Sequence, residues 1–397
     1  MKEIKNILII HEYGSINGGA SKVAIQSAIA LAKKGYRVTY FCACSPVDDE
    51  LKASVDKVIC LNQHDILTNP SRLKAIIQGI WNKEAIIKLE SCLKGFNPNT
   101  TVVHIHEWAH ALSSSVVKIC NKMGYKPFIT FHEYFCVCPN GGFYNYQKEE
   151  ICKLKPMSNE CIMCNCDSRS YLHKIWRVIR QIVQDRYIRY NKNYHTIYIS
   201  NFSLSKYQDF LKCKDFSFVH NPIEEFKLDR VDISDNNLLA FIGRLSPEKG
   251  VNLFCEAVER LGLKGIVIGN GPLEEKLKSR FKNIEFVGWK TKEEIVPYLM
   301  KVRALVFPSR WYEVAPLTTE ECLNVGIPCI VPDECAASDY ISEGINGYVF
   351  KSGSVDSLIE AIQKLDDNPC QNFEVTHYGI NDHVRRLIDA YGKDVNN

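Results

Sequence analysis

The chain has 397 residues, 46% hydrophobic and 24% charged, with a formal net charge of +3. That length suffices for two domains, each with its own core, and a near-neutral balance without a basic tail argues against a nucleic-acid partner. No stretch approaches the roughly 20 apolar residues that cross a bilayer. The opening MKEIKNILIIHEYG lacks the extended apolar core and cleavage site of a signal peptide, so a cytoplasmic location, extending to the inner face of the cytoplasmic membrane, is expected.

Residues 5–10 predict an apolar strand, 14–19 a flexible turn, 20–34 a helix and 37–42 a second strand. Further strands are expected at TVVHIH, KPFITFH, HTIYIS and FSFVH. Strands separated by helices argue for a largely parallel α/β sheet. This first domain is expected to cover 1–222, ending where Asn221-Pro222 leaves a strand for a polar segment. A second alternating unit over 223–374 has strands at LLAFIG, KGIVIG, IEFVG, ALVFPS and PCIVP, with helices near 249–260, 273–281, 291–300 and 317–325. An amphipathic helix within 375–397 is expected to return to the first domain. Two successive open α/β units predict a bilobal molecule with a cleft between strand ends.

Four stretches carry the candidate chemistry. Gly18 and Gly19 precede the first helix, where small residues let the backbone approach a ligand facing helix N–H groups; a purely structural turn is the other reading. The strand LLAFIG runs into Gly243-Arg244-Leu245-Ser246-Pro247-Glu248-Lys249-Gly250, setting two cations around a turn. Arg244 can hold phosphate oxygens through its fork while Lys249 adds a compact charge; solvated surface charge is the alternative. Gly269-Asn270-Gly271-Pro272 opens another helix, either bordering a nucleotide or making a tight turn. In FPSRWYEVAPLTTEECLNVGIP, Pro316 argues against an uninterrupted helix between Glu313 and Glu321. Glu313 then sits on a loop, suited to a donor sugar, and Glu321 in a helix beginning near Leu317, suited to a ribose diol. The N–H groups of Ala315, Leu317 and Thr318 are further donors. A glycosidase acid–base pair competes, but the two cations favour a phosphate-bearing donor.

On these motifs, with Gly326-Ile327-Pro328 following, the chain resembles the retaining glycosyltransferases of family 4, most specifically over 238–350. The resemblance implies an α/β fold of GT-B type, two Rossmann-like domains facing across a cleft. It implies transfer from a nucleotide diphosphate sugar, UDP- or GDP-linked, to a glycan or polyprenyl-diphosphate-linked acceptor in cell-surface polysaccharide synthesis, with no catalytic metal required. Arg244 and Lys249 would bind the diphosphate, Glu313 the transferred sugar and Glu321 the ribose. His132, ending KPFITFH, would reach the reacting centre. The Gly-Phe-Gly common in the family is replaced by Val314-Ala315-Pro316, which leaves donor identity open. His106 and Glu107 in HIHEW are weaker acceptor-side candidates. A phosphorylase or synthase acting on soluble sugars, and a non-catalytic nucleotide-sugar-binding protein, are the competing functions.

Of 17 cysteines, most are scattered through apolar segments, as small core residues in a reducing compartment. Six crowd into an insertion at 136–166. Cys152, Cys161, Cys164 and Cys166 make the simplest four-thiolate set for a structural zinc; Cys136 or Cys138 can replace one, and metal-free thiols, an iron–sulfur centre and disulfides are alternatives. Residues 169–192 place Arg169, Lys174, Arg177, Arg180, Arg186, Arg189 and Lys192 among Trp176, Ile179, Ile182 and Val183. Such a helix fits peripheral contact with an anionic membrane or packing on the first lobe.

Overall fold

A computed structural model of the chain describes residues 3–394 apart from 225, 229, 371, 372 and 375–377. Its first lobe is built on β1 (Asn6–Tyr13), β2 (Arg37–Cys44), β3 (Lys57–Gln63), β4 (Thr101–Ile105) and β5 (Phe128–Thr130). A short hairpin of β6 (Tyr144–Asn145) and β7 (Glu150–Ile151) interrupts the pattern before β8 (His195–Tyr198) and β9 (Phe216–Phe218). Hairpin apart, the strands form one parallel sheet in the order 3-2-1-4-5-8-9. The second lobe repeats the plan with β10 (Leu238–Ile242), β11 (Lys264–Ile268), β12 (Ile284–Gly288), β13 (Val302–Val306), β14 (Cys329–Pro332) and β15 (Gly347–Phe350), parallel in the order 12-11-10-13-14-15. Both orders reverse beside their first strand, and that reversal opens a crevice at the carboxyl ends of the strands.

The helices of the first lobe are α1 (Gly19–Lys33), α2 (Asp49–Ser54), α3 (Arg72–Ile80), α4 (Lys83–Leu93), α5 (Ser115–Lys122), α6 (Asn159–Met163), α7 (Tyr171–Asp185) and α8 (Asn201–Tyr207). Those of the second are α9 (Val251–Arg260), α10 (Glu274–Arg280), α11 (Lys292–Leu299), α12 (Leu317–Asn324) and α13 (Val355–Asp367). Helices on both faces bury the central strands, which therefore read as unbroken apolar runs rather than alternating ones: Ile7, Leu8, Ile9 and Ile10 are all buried. The last helix, α14 (Ile380–Asp394), crosses back to the first lobe. Its Val384, Leu387 and Tyr391 join the core that α1 covers, and the Tyr391 hydroxyl lies 2.7 Å from His104 Nδ1. Residues 375–377 and 395–397 of the segment expected to hold this helix lie outside the described residues.

Helix α7 differs from the expected cationic surface helix. Lys174, Arg180 and Arg189 are buried, and Arg177 is bound to the buried Asp167 at 2.6 Å. Of the seven cations, Arg169, Arg186 and Lys192 face solvent. The reason lies in the loops beneath it: Arg180 donates to the carbonyls of Ala109 and Pro139, and Gln184 donates to that of Phe135 and accepts from Trp108 Nε1. Irregular loops leave backbone carbonyls that must be paired when buried, and a polar helix face answers them.

Candidate functional site

The carboxyl ends of the two sheets face each other across a cleft of about 590 Å³. From the first lobe come Tyr13, the turn 17–21, Glu107, His110, residues 132–134 and Gly141–Gly142; from the second, Gly243, Arg244, Lys249 and the whole stretch 311–318. The amino ends of α1 and α12 therefore open onto one space. The first N–H groups of a helix have no intrahelical partner and carry partial positive charge, so both ends favour an anion there.

In the second lobe, Gly250 sets the cation turn. It adopts φ 70° and ψ 19°, a left-handed conformation suited to glycine, and a Cβ there would lie 1.9 Å from the Pro308 carbonyl oxygen. This close approach holds Lys249 against the loop carrying Glu313: Lys249 Nζ donates to Glu313 Oε1 at 2.6 Å, Ser309 Oγ donates to the same oxygen at 3.0 Å, and the ammonium stands 5.0 Å from the Trp311 ring centroid. Arg244 is exposed to the cleft and has no carboxylate partner among the described residues. Glu248 turns aside, accepting from Ser246 Oγ at 2.6 Å. Buried Trp311 Nε1 and Asn221 Oδ1 have no hydrogen-bond partner among the described residues, and both residues belong to the cleft wall.

The first-lobe wall is a set of coupled imidazoles and carboxylates. His132 packs 3.0 Å, nitrogen to nitrogen, from His106, which lies behind it. Burial holds the His132 pKa down at about 4, so a neutral ring borders the cleft at pH 7. Burial opposes ionisation of Glu107, yet His11, whose Nε2 lies 3.2 Å away, together with the charges of His132 and His110 keeps the carboxyl below its usual range. Burial, reinforced by the Glu107 charge, lifts Glu133 to about 7. For His110 burial acts downward, but the Glu12 carboxylate at 3.1 Å wins and raises it to about 9. Glu12 also accepts from the backbone N–H groups of His110, Ala111 and Leu112. Glu12, His110 and Glu133 were not singled out in the sequence. The available signal was Glu12 in the last residues of a parallel strand at the sheet's switch point, where ligands collect.

The cleft thus brings together Gly18, Gly19, His132, Arg244, Lys249, Glu313, Ala315, Leu317 and Thr318. Asn270, Gly271 and Glu321 stand outside its wall. Asn270 Oδ1 accepts from Trp289 N at 2.8 Å, tying the turn to the end of β12. Glu321, one helical turn past Leu317, is paired with Lys292 at 2.8 Å. Lys292 also donates to the Glu224 carbonyl, and Glu224 in turn receives Lys22 at 2.5 Å and Gln26 at 2.9 Å from α1. A chain of charges therefore runs from α12 to the first lobe.

Among the described residues no group of three or more His, Cys, Asp or Glu side chains is disposed to hold a metal ion, Cys152, Cys161, Cys164 and Cys166 included. The buried Lys174 ammonium lies 3.3 Å from Cys166 Sγ and 3.8 Å from Cys161 Sγ, where a cation would repel zinc. The insertion instead docks on the second lobe, through Arg310 Nη2 to the Glu149 carbonyl at 2.6 Å and through Gly142 against Trp311.

Two parallel Rossmann-like sheets closing on a cleft define the class: this is the GT-B fold. Residues 223–381, across the second lobe, match the family described as "Glycosyl transferases group 1". It is 25% identical over 177 residues to UDP-Gal:alpha-D-GlcNAc-diphosphoundecaprenol alpha-1,3-galactosyltransferase of Escherichia coli, a match covering 39% of this chain and 45% of that enzyme. The chain thus spans less than half the length of that curated relative. Among solved structures, the lipopolysaccharide outer core galactosyltransferase WaaB superposes with a TM-score of 0.65 at 16% identity, covering 98% of this chain and 99% of that one. HepE of Anabaena, in complex with UDP, gives 0.60 at 12% identity, covering 99% and 97%. Among the described residues no helix is long and apolar enough to cross a membrane.

Proposed function

We propose that the protein transfers a sugar, with retention of anomeric configuration, from a nucleoside diphosphate sugar to a lipid-linked glycan acceptor during cell-surface polysaccharide synthesis. One observation carries this reading: Arg244, the Lys249–Glu313 pair and the amino ends of α1 and α12 converge on one cleft. Counting roughly half a charge for each helix end, these groups sum to about +2, which matches the roughly −2 of a sugar-linked diphosphate. The UDP bound in the Anabaena structure and the diphosphoundecaprenol acceptor of the Escherichia coli relative support the same donor and acceptor classes.

In this mechanism the bond from the anomeric carbon to the β-phosphate oxygen breaks while the acceptor oxygen bonds on the same face. The acceptor proton passes to the departing phosphate oxygen, whose growing charge Arg244 and Lys249 stabilise. Glu313 holds Lys249 in place and accepts from the sugar hydroxyls, and neutral His132 hydrogen-bonds near the reacting centre. Glu321 becomes a ribose ligand by exchanging Lys292 for the diol.

The test is incubation with UDP- and GDP-sugars and polyprenyl-diphosphate-linked glycans, following nucleoside diphosphate release and the anomeric configuration of the product. Acceptor-dependent product with the donor's configuration is expected. Donor hydrolysis with no acceptor-dependent product overturns the transferase reading, and an inverted product overturns retention.

A further inference from the structure

Helices α3 and α7 are built inside out. On α7 the side chains at 172, 175, 179 and 182, spaced to share one helical face, are exposed by 77%, 41%, 47% and 51%; all are Leu or Ile. Its opposite face, with Lys174, Arg180, Gln181, Gln184 and Asp185, is buried. The neighbouring α3 repeats the inversion: Leu73, Ile76 and Ile77 are exposed, while Ala75, Gln78 and Gly79 are buried. The two helices are joined by Trp176, whose Nε1 donates to the Ile76 carbonyl at 3.2 Å and whose ring fills the space over Gly79. They therefore present one continuous apolar ridge. A soluble monomer rarely shows such a patch without a partner.

Charge identifies the partner. Arg72, Lys74, Arg169 and Arg186 stand exposed along the ridge, and neither helix carries an exposed carboxylate, because the one acid they contain, Asp185, is buried. An apolar strip whose own two helices expose cations and no carboxylate fits an anionic lipid surface, with acyl chains meeting the Leu and Ile side chains and headgroups meeting the cations. A partner helix or a second copy of this chain would bring mixed charge to such a rim.

We propose that α3 and α7 together are a membrane-docking ridge that seats the first lobe on an anionic leaflet. The proposal rests on the lipid-linked acceptor reading for its purpose, and the structure supplies the connection. The inner face of α7 holds the carbonyls of Ala109, Phe135 and Pro139, whose neighbours His110, Tyr134 and Gly141 line the cleft. Membrane and acceptor side are thus separated by about one helix diameter, roughly 10 Å. The cations expected to do this work from 169–192 are mostly turned inward, so insertion relies on the apolar ridge.

Sedimentation of the full chain with vesicles of phosphatidylcholine containing about one-third phosphatidylglycerol tests this. Wild type should partition onto them, less onto pure phosphatidylcholine, and less at high salt. Ile175→Glu/Ile179→Glu should lower partitioning at least about tenfold, and Arg72→Gln/Arg186→Gln should lower it on anionic vesicles only. All four positions are exposed, so melting temperatures should be unchanged, and Leu172→Ser/Ile182→Ser repeats the test with smaller changes. Equal partitioning of wild type and ridge variants, or no wild-type binding to anionic vesicles, overturns the proposal. So does a concentration-dependent dimer that the ridge variants abolish in place of vesicle binding. Because binding is read without turnover, failure of sugar transfer with lipid-linked and soluble acceptors alike would sink the functional reading while leaving this result standing.

Discussion

Lys249 has two claimants, the Glu313 carboxylate it now meets at 2.6 Å and the diphosphate it is proposed to neutralise. Its proposed role is to stabilise the charge developed on a leaving oxygen, so Lys249→Met should cut kcat by about 10²- to 10³-fold, the usual cost of removing one such stabilising donor. Lys249→Arg should restore part of it; steady-state rates with unchanged kcat in Lys249→Met would remove the residue from the mechanism. His110 makes a different prediction, about stability. Its pKa is raised to about 9 by Glu12, against about 6.5 in an unfolded chain. A raised basic group contributes stability that is full below the unfolded value and lost as pH rises through the folded one. The stability gap between wild type and His110→Gln, read by urea unfolding, should therefore shrink from pH 6.5 to 9.5; a constant gap refutes the assigned charge. Sequence spacing brought Lys249 and Glu313 into view because both lie near strand ends of one repeating unit. It could not show that they touch, since 64 positions separate them and the contact depends on how the Gly250 turn meets the Pro308 carbonyl.

That turn sets the scale of elements. Gly250→Ala must place a Cβ 1.9 Å from a backbone oxygen while keeping φ at 70°. Gly262, at the end of α9, has φ 65° and nothing within 4 Å of its own Cβ position. Gly262→Ala should thus cost only the conformational part, about 1 kcal/mol, whereas Gly250→Ala should cost about 3 kcal/mol or more and reduce turnover by displacing Lys249. Urea midpoints at constant m measure both, and equal losses would show that the close approach is not what constrains Gly250. Most elements of the two sheets were legible because fully buried parallel strands are apolar runs of a length helices do not share. The outward face of α7 was not: its periodicity is plain, but a periodic pattern does not say which side is inside. Burial was decided by carbonyls of loops at 109, 135 and 139, far away in sequence. The surroundings of the cysteine insertion were hidden for a related reason, because thiol spacing carries no information about the Lys174 side chain that arrives from α7 between Cys161 and Cys166.

For the molecule as a whole, the lobes are linked by more than the chain passing near Asn221. Tyr312 and Val314 of the second lobe pack into the first-lobe core, Ser200 Oγ donates to the Val314 carbonyl at 2.6 Å, and Phe202 N donates to Asp339 Oδ2 at 3.0 Å. α14 then carries the end of the second lobe back across the first, with His383 Nε2 2.9 Å from Ser27 Oγ. A ligand seated between α1 and α12 would engage both lobes in this closed arrangement and would bind the native state alone. Such a ligand stabilises by RT ln(1 + [L]/Kd), about 2.7 kcal/mol at 100 times Kd. UDP or GDP, whichever the donor contains, should therefore raise the melting temperature measurably, while the corresponding nucleoside, lacking the diphosphate, should do so far less. Arg244→Gln removes an exposed cation with no hydrogen-bond or ion-pair partner among the described residues. It should leave the unliganded melting temperature within error and abolish most of the nucleotide-induced shift. Should the variant retain the full shift, the diphosphate is held elsewhere and the charge balance assigned to this cleft fails; should neither nucleotide produce a shift, the cleft is not a nucleotide site.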